Sequence, residues 1–67
     1  MKFKTNDRLY DKKTLEERGV IKSVNPAGYY LVYWYIEMDN MLTIKNWVEN
    51  NFYNHNKDPN KLLKEIL

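Results

Sequence analysis

The chain has 67 residues, two glycines, two prolines and no cysteine, with 43% hydrophobic and 15% aromatic residues and a formal charge of +2. This length makes one domain, which buries only about 60% of the surface its unfolded form exposes. The composition excludes disulfides and thiolate metal sites, no apolar stretch approaches the ~20 residues of a membrane span, and the opening residues lack the apolar core of a secretory signal. Met1 reads as the start of a complete small gene product, and a soluble cytoplasmic protein is expected.

Residues 3–10 are expected to form the first strand, entered by Phe3 and ending at Leu9 and Tyr10. The polar stretch Asp11–Arg18 reads as a loop. Within it Thr14 and Glu17 have capping-box spacing, and Gly19 would end a single helical turn. Gly19–Val24 is the second strand. Asn25-Pro26-Ala27-Gly28 is a tight connection, because proline presets φ and glycine permits positive φ.

Tyr29–Ile36 is an unbroken apolar and aromatic run, and half of the ten aromatic residues lie in it. Branched and aromatic side chains pack well on a pleated surface, so the run reads as a strand reaching to about Met38. Alternation divides it into two faces. Tyr30, Val32, Trp34 and Ile36 are assigned to the core. Tyr29, Leu31, Tyr33 and Tyr35 take the opposite face, and a chain this small has little with which to cover them. Asp39-Asn40 is the expected turn, since both residues tolerate the left-handed region. Met41–Asn46 is the next strand, with Leu42 and Ile44 on one face. Trp47 and Val48 lead through a turn at 49–51 to a small last strand at Phe52-Tyr53.

Residues 54–57 read as polar linker. Asp58 and Pro59 have the types of an N-cap and first helical residue, and Leu62, Leu63, Ile66 and Leu67 fall on one face. A helix of about nine residues is unstable alone in water, so it is expected to dock on its own domain or on another chain. The domain plan is therefore a β unit over 1–55 followed by linker and helix over 56–67.

Several segments carry a resemblance. Asn6-Asp7-Arg8-Leu9-Tyr10 resembles the opening G-D-x-V strand of small Src-homology-3-like barrels of the Tudor or KOW type, with Asn6 where glycine is usual. Gly19–Val24 resembles their second strand, Tyr29–Trp34 their Y-x-V-x-W third strand, and Asn46–Phe52 their closing W-V-x-x-x-x-L segment. The resemblance covers Phe3 to Tyr53. It implies a mainly β fold, a small antiparallel barrel of three to five strands, to which the expected helix at Pro59–Leu67 adds a short C-terminal α-helix. Tudor domains bind methylated side chains in an aromatic cage, and Tyr10 and Trp47 are the residues that would contribute to one here.

The side chains available for chemistry are few. Ser23 lies within a strand and His55 in a polar linker, with no third group to orient an imidazole. His55 with Asp58 gives too few ligands for a structural ion. The carboxylates Asp7, Asp11, Glu16 and Glu17 lie on polar segments where solvation is the ordinary fate, and two glycines make no phosphate-cradling loop. Neither catalysis, a metal nor a small-molecule cofactor is expected.

Two binding functions remain. The first is a protein-binding module, a small regulatory or inhibitory protein resembling in style the accessory proteins of phages and mobile elements. Its contact surface would be Tyr29, Leu31, Tyr33 and Tyr35, since tyrosine combines area with a polar handle. Leu63 and Leu67 would be a second contact. The partner would be a host protein or a second copy of the chain, unless the terminal helix covers the tyrosine face. The alternative is nucleic-acid binding, with Lys2, Lys4, Arg8, Lys12, Lys13, Arg18 and Lys22 on phosphates and tyrosines stacking on bases. Residues 1–24 carry +3, but those cations are interleaved with four acids, and residues 25–56, which hold the tyrosine run, carry −2.

Overall fold

The structure is a computed structural model that describes residues 2–54. Its elements run β1 (Arg8–Asp11), β2 (Glu17–Asn25), β3 (Tyr29–Trp34), β4 (Asp39–Ile44), α1 (Lys45–Asn51) and β5 (Phe52–Asn54). The strands form one antiparallel sheet in the order β4-β3-β2-β1-β5, which does not close. The chain is thus mainly β, with a short helix between its last two strands. The expected helix at Pro59–Leu67, His55 and the contacts Leu63 and Leu67 lie outside the described residues.

Side-chain alternation on β3 selects the core. Tyr30 and Val32 are fully buried with Leu9, Ile21 and Val48, and Phe3 and Phe52 complete the cluster. Trp34 packs against its margin, where its ring meets Phe52 at 5.3 Å between centroids. Ile36, expected in the core, is instead 74% exposed. The chain turns directly after Trp34: the Met38 N–H donates to the Trp34 carbonyl at 2.8 Å, and Trp34 pairs with Asp39. Tyr35–Met38 is therefore the hairpin loop, and Asp39-Asn40, expected as the turn, opens β4.

Met38 has φ 54, in the left-handed region that disfavours a side chain. Met38→Gly should raise stability by roughly 0.5–1 kcal/mol, read as a higher urea midpoint at unchanged slope. At the β2–β3 turn the chain already uses glycine: Gly28 has φ 100.

The first strand is shorter than expected. Phe3 is buried but lies outside any strand, and β1 begins at Arg8. Asn6, with φ 75, turns the chain there, a conformation that glycine and asparagine tolerate best. Asp7 is not solvated. It is 4% exposed, and its Oδ2 accepts the Lys4 N–H at 2.9 Å and the Asn54 amide at 2.6 Å. One carboxylate thereby joins the N-terminal segment to β5.

The capping box does not form. Asp11 Oδ1 accepts the N–H groups of Lys13 and Thr14, which folds 12–14 into a turn and holds the Asp11 carboxyl below its usual range. Glu17 begins β2, and Gly19 lies buried within that strand rather than ending a helix. The segment 45–51, expected as strand and turn, is α1. It presents Val48 to the core and ends at Phe52, whose N–H donates to the Val48 carbonyl.

Tyr30 ties these layers together. Its hydroxyl donates to Glu49 Oε2 of α1 at 2.6 Å and accepts the Phe3 N–H at 3.3 Å, while its ring meets Phe3 edge-on. Burial pushes the Glu49 carboxyl up, but the Tyr30 hydroxyl and the Lys2 N–H outweigh it and leave the group below its ordinary value.

Candidate functional site

Register places the residues opposite the core on one face of the sheet. Tyr29 pairs with Ile44, Leu31 with Leu42 and Tyr33 with Asn40, and on the other flank Tyr33 pairs with Val20. Directly opposed residues share a face. The expected contact residues Tyr29, Leu31 and Tyr33 are therefore brought together, and β4 extends them with Leu42 and Ile44. Tyr29 is 41% exposed, Leu42 62% and Ile44 60%, whereas Leu31 and Tyr33 are half-buried.

Tyr35 differs from its neighbours because it lies in the hairpin loop. Its ring sits 6.1 Å from Tyr33, and its hydroxyl donates to Glu17 Oε2. Burial and that bond push the Tyr35 hydroxyl up to about 12. The other carboxylate oxygen of Glu17 accepts the Tyr10 hydroxyl at 2.9 Å, and Arg8 lies at 3.8 Å. Hydrogen bonding to Tyr10, reinforced by Glu17, raises the Arg8 guanidinium further. Glu17 thus fixes the end of the face between β1 and the hairpin loop.

Tyr10 and Trp47 do not form a common cage. Tyr10 pairs with Tyr53 on β1–β5 and with Glu17, whereas Trp47 packs its ring at 5.5 Å from Phe52 and 6.2 Å from Trp34, on the core side.

The seven candidate cations are spread over the N-terminal segment (Lys2, Lys4), β1 (Arg8), the following loop (Lys12, Lys13) and β2 (Arg18, Lys22). Two of them face acids, Arg8 at Glu17 and Arg18 at Glu16, the latter at 3.3 Å. Lys12 and Lys22 lie over the rings of Tyr53 and Tyr33, at 5.3 and 5.9 Å from the centroids.

Sequence reasoning missed the exposure of β4. Met41 is 47% exposed and Trp47 51%, and with Leu42, Thr43 and Ile44 they line a shallow groove of about 400 Å³ along the sheet edge. The signal was present in Met41-Leu42-Thr43-Ile44, where apolar residues occupy both faces of one strand. Its meaning depends on β4 being an edge, which is settled by distant pairing of β1 with β5.

Among the described residues, no group of His, Asp or Glu could hold a metal ion, and no helix is long and apolar enough to cross a membrane. No family model matches the chain, and neither curated proteins nor solved structures provide a significant match.

Proposed function

We propose that this chain is a non-enzymatic protein-binding module, a small Src-homology-3-like barrel that acts as a regulatory or inhibitory protein by occupying a partner. The barrel reading is supported by the strand order, by the β1–β5 pairing and by a short helix inserted between β4 and β5. One observation carries the function: among the described residues, exposed Tyr29, Leu42 and Ile44 are paired on one face with half-buried Leu31, and the surface continues through Tyr33 and Tyr35. Soluble domains rarely leave contiguous apolar surface uncovered unless it meets another molecule. Tyrosine anchors suit such a contact because each ring orders little side-chain entropy for its area. The partner is a protein surface with an apolar centre.

Nucleic-acid binding ranks below this reading. Two of its cations are engaged by acids, and Lys12 and Lys22 lie over tyrosine rings. The test is salt dependence. An oligonucleotide complex should weaken steeply between about 50 and about 200 mM salt, while a complex on the tyrosine face should change little. Steep salt dependence, insensitive to Tyr29→Ser with Tyr33→Ser, would overturn the protein-binding reading.

A further inference from the structure

We propose that β4 pairs antiparallel with β4 of a second copy, across a two-fold axis at Leu42, so that the chain is a homodimer with one continuous sheet. The inference goes beyond the tyrosine face, because it rests on the backbone edge of β4.

Among the described residues β4 pairs only with β3. The Lys45 N–H donates to the Gly28 carbonyl at 3.0 Å, toward the β3 side. The alternation of strand groups then turns the N–H and C=O of Asn40, Leu42 and Ile44 outward. The Asn40 N–H agrees: it donates to its neighbour Asp39 Oδ1 at 2.8 Å. Natural edges are usually blunted by brevity, lysine, proline or a bulge. Among the described residues the opposite edge strand, Phe52–Asn54, is short, with Lys12 over Tyr53. β4 has none of these devices: its sequence is Asp39-Asn40-Met41-Leu42-Thr43-Ile44, and all of it but the half-buried Thr43 is exposed.

Charge identifies the occupant and the register. A two-fold axis perpendicular to the sheet requires one residue to face its own copy, because opposed residues share a face. Centring on Leu42 sets Leu42 against Leu42, Asn40 against Ile44 and Asp39 against Lys45 of the second copy. Centring on Met41 would set Asp39 against Thr43, and centring on Thr43 would set it against a position beyond the end of β4, within α1. Only the Leu42 register gives each Asp39 a cation. It also places the outward groups of Leu42 and Ile44 in hydrogen-bonding pairs, with the Asn40 N–H exchanging Asp39 Oδ1 for the Ile44 carbonyl of the second copy as Asp39 turns to Lys45.

An interface of one strand pair belongs with weak contacts, so light scattering should cover about 10 μM to about 1 mM protein. The full chain should shift toward twice its monomer mass across that range. Leu42→Pro removes only an outward donor, and should stay monomeric with the near-ultraviolet circular dichroism of the wild type. Asp39→Lys should weaken the dimer at least tenfold, and adding Lys45→Asp should restore it. Tyr29→Ser with Tyr33→Ser should leave the dimer intact, which separates this proposal from the tyrosine-face reading. A wild type that stays monomeric at about 1 mM, a Leu42→Pro dimer of wild-type affinity, or failure of the charge reversal to restore pairing would each overturn the proposal.

Discussion

Tyr30→Phe should destabilise the domain by about 2–3 kcal/mol although it removes a single oxygen, because that oxygen serves two partners. The hydroxyl donates to the Glu49 carboxylate of α1 and accepts the Phe3 N–H of the N-terminal segment. Phenylalanine would keep the ring contacts and leave a buried N–H without its acceptor. The same bond predicts a pH profile. Burial, then the bond to Glu49, raise the Tyr30 pKa from 10.0 to about 12. An unfolded chain ionises near 10 while the native one does not, so stability is full below that value and falls as pH rises toward 12. Two units correspond to roughly 3 kcal/mol at most. Tyr35 has a similar shift, but it is more than a third exposed and contributes less. On the acid side, Glu49 lies below its ordinary 4.5, so its contribution fades as pH falls through the native value. Urea midpoints across pH should therefore show an alkaline decline in the wild type that Tyr30→Phe largely flattens. A variant within 0.5 kcal/mol of wild type, the usual range for surface changes, would show that the hydroxyl does not join the layers.

Gly19→Ala should cost about 3 kcal/mol or more. Gly19 pairs with Trp34 across β2–β3. A Cβ there would lie 2.5 Å from the Tyr33 carbonyl oxygen and 3.2 Å from both the Trp34 ring and Val32. The nearest atom is backbone, so relief requires parting the two strands that carry the core and the tyrosine face. A domain of this size has about 3–10 kcal/mol in total, so the variant should be partly unfolded at room temperature. A cooperative Gly19→Ala transition at the wild-type urea midpoint would refute this packing.

What was readable in the sequence followed the range of the interactions involved. Alternation within Tyr29–Trp34 gave both faces of β3, because period two is local. The Asn25–Gly28 turn was legible for the same reason. The end of β3 was not: Ile36 and Met38 have strand-forming character, yet the hairpin turns at 35–38 because Trp34 pairs with Asp39 and Met38 accepts positive φ. Gly19 carries two readings in the sequence, a helix stop and the start of a strand, since glycine marks both caps and close strand approach, and the Tyr33 carbonyl and Trp34 ring across the β2–β3 pair decide between them. Asp7 reads as solvated in the sequence because the groups that donate to its carboxylate, the Lys4 N–H and the Asn54 amide, come from opposite ends of the described chain. The candidate site was half legible. Tyr29, Leu31 and Tyr33 share the expected face, but their extension through Leu42 and Ile44 and the exposed edge of β4 arise from sheet order.

The central claim is that the tyrosine face is a protein contact surface. The most direct measurement is quantitative capture from the native host with two baits, wild type and Tyr29→Ser with Tyr33→Ser, after both are shown to have the same circular dichroism and urea midpoint. The wild type should retain a protein at near-stoichiometric amount, through washes at about 50 and about 200 mM salt, that the variant fails to retain. Retention of the same protein to the same extent by both baits would contradict the claim.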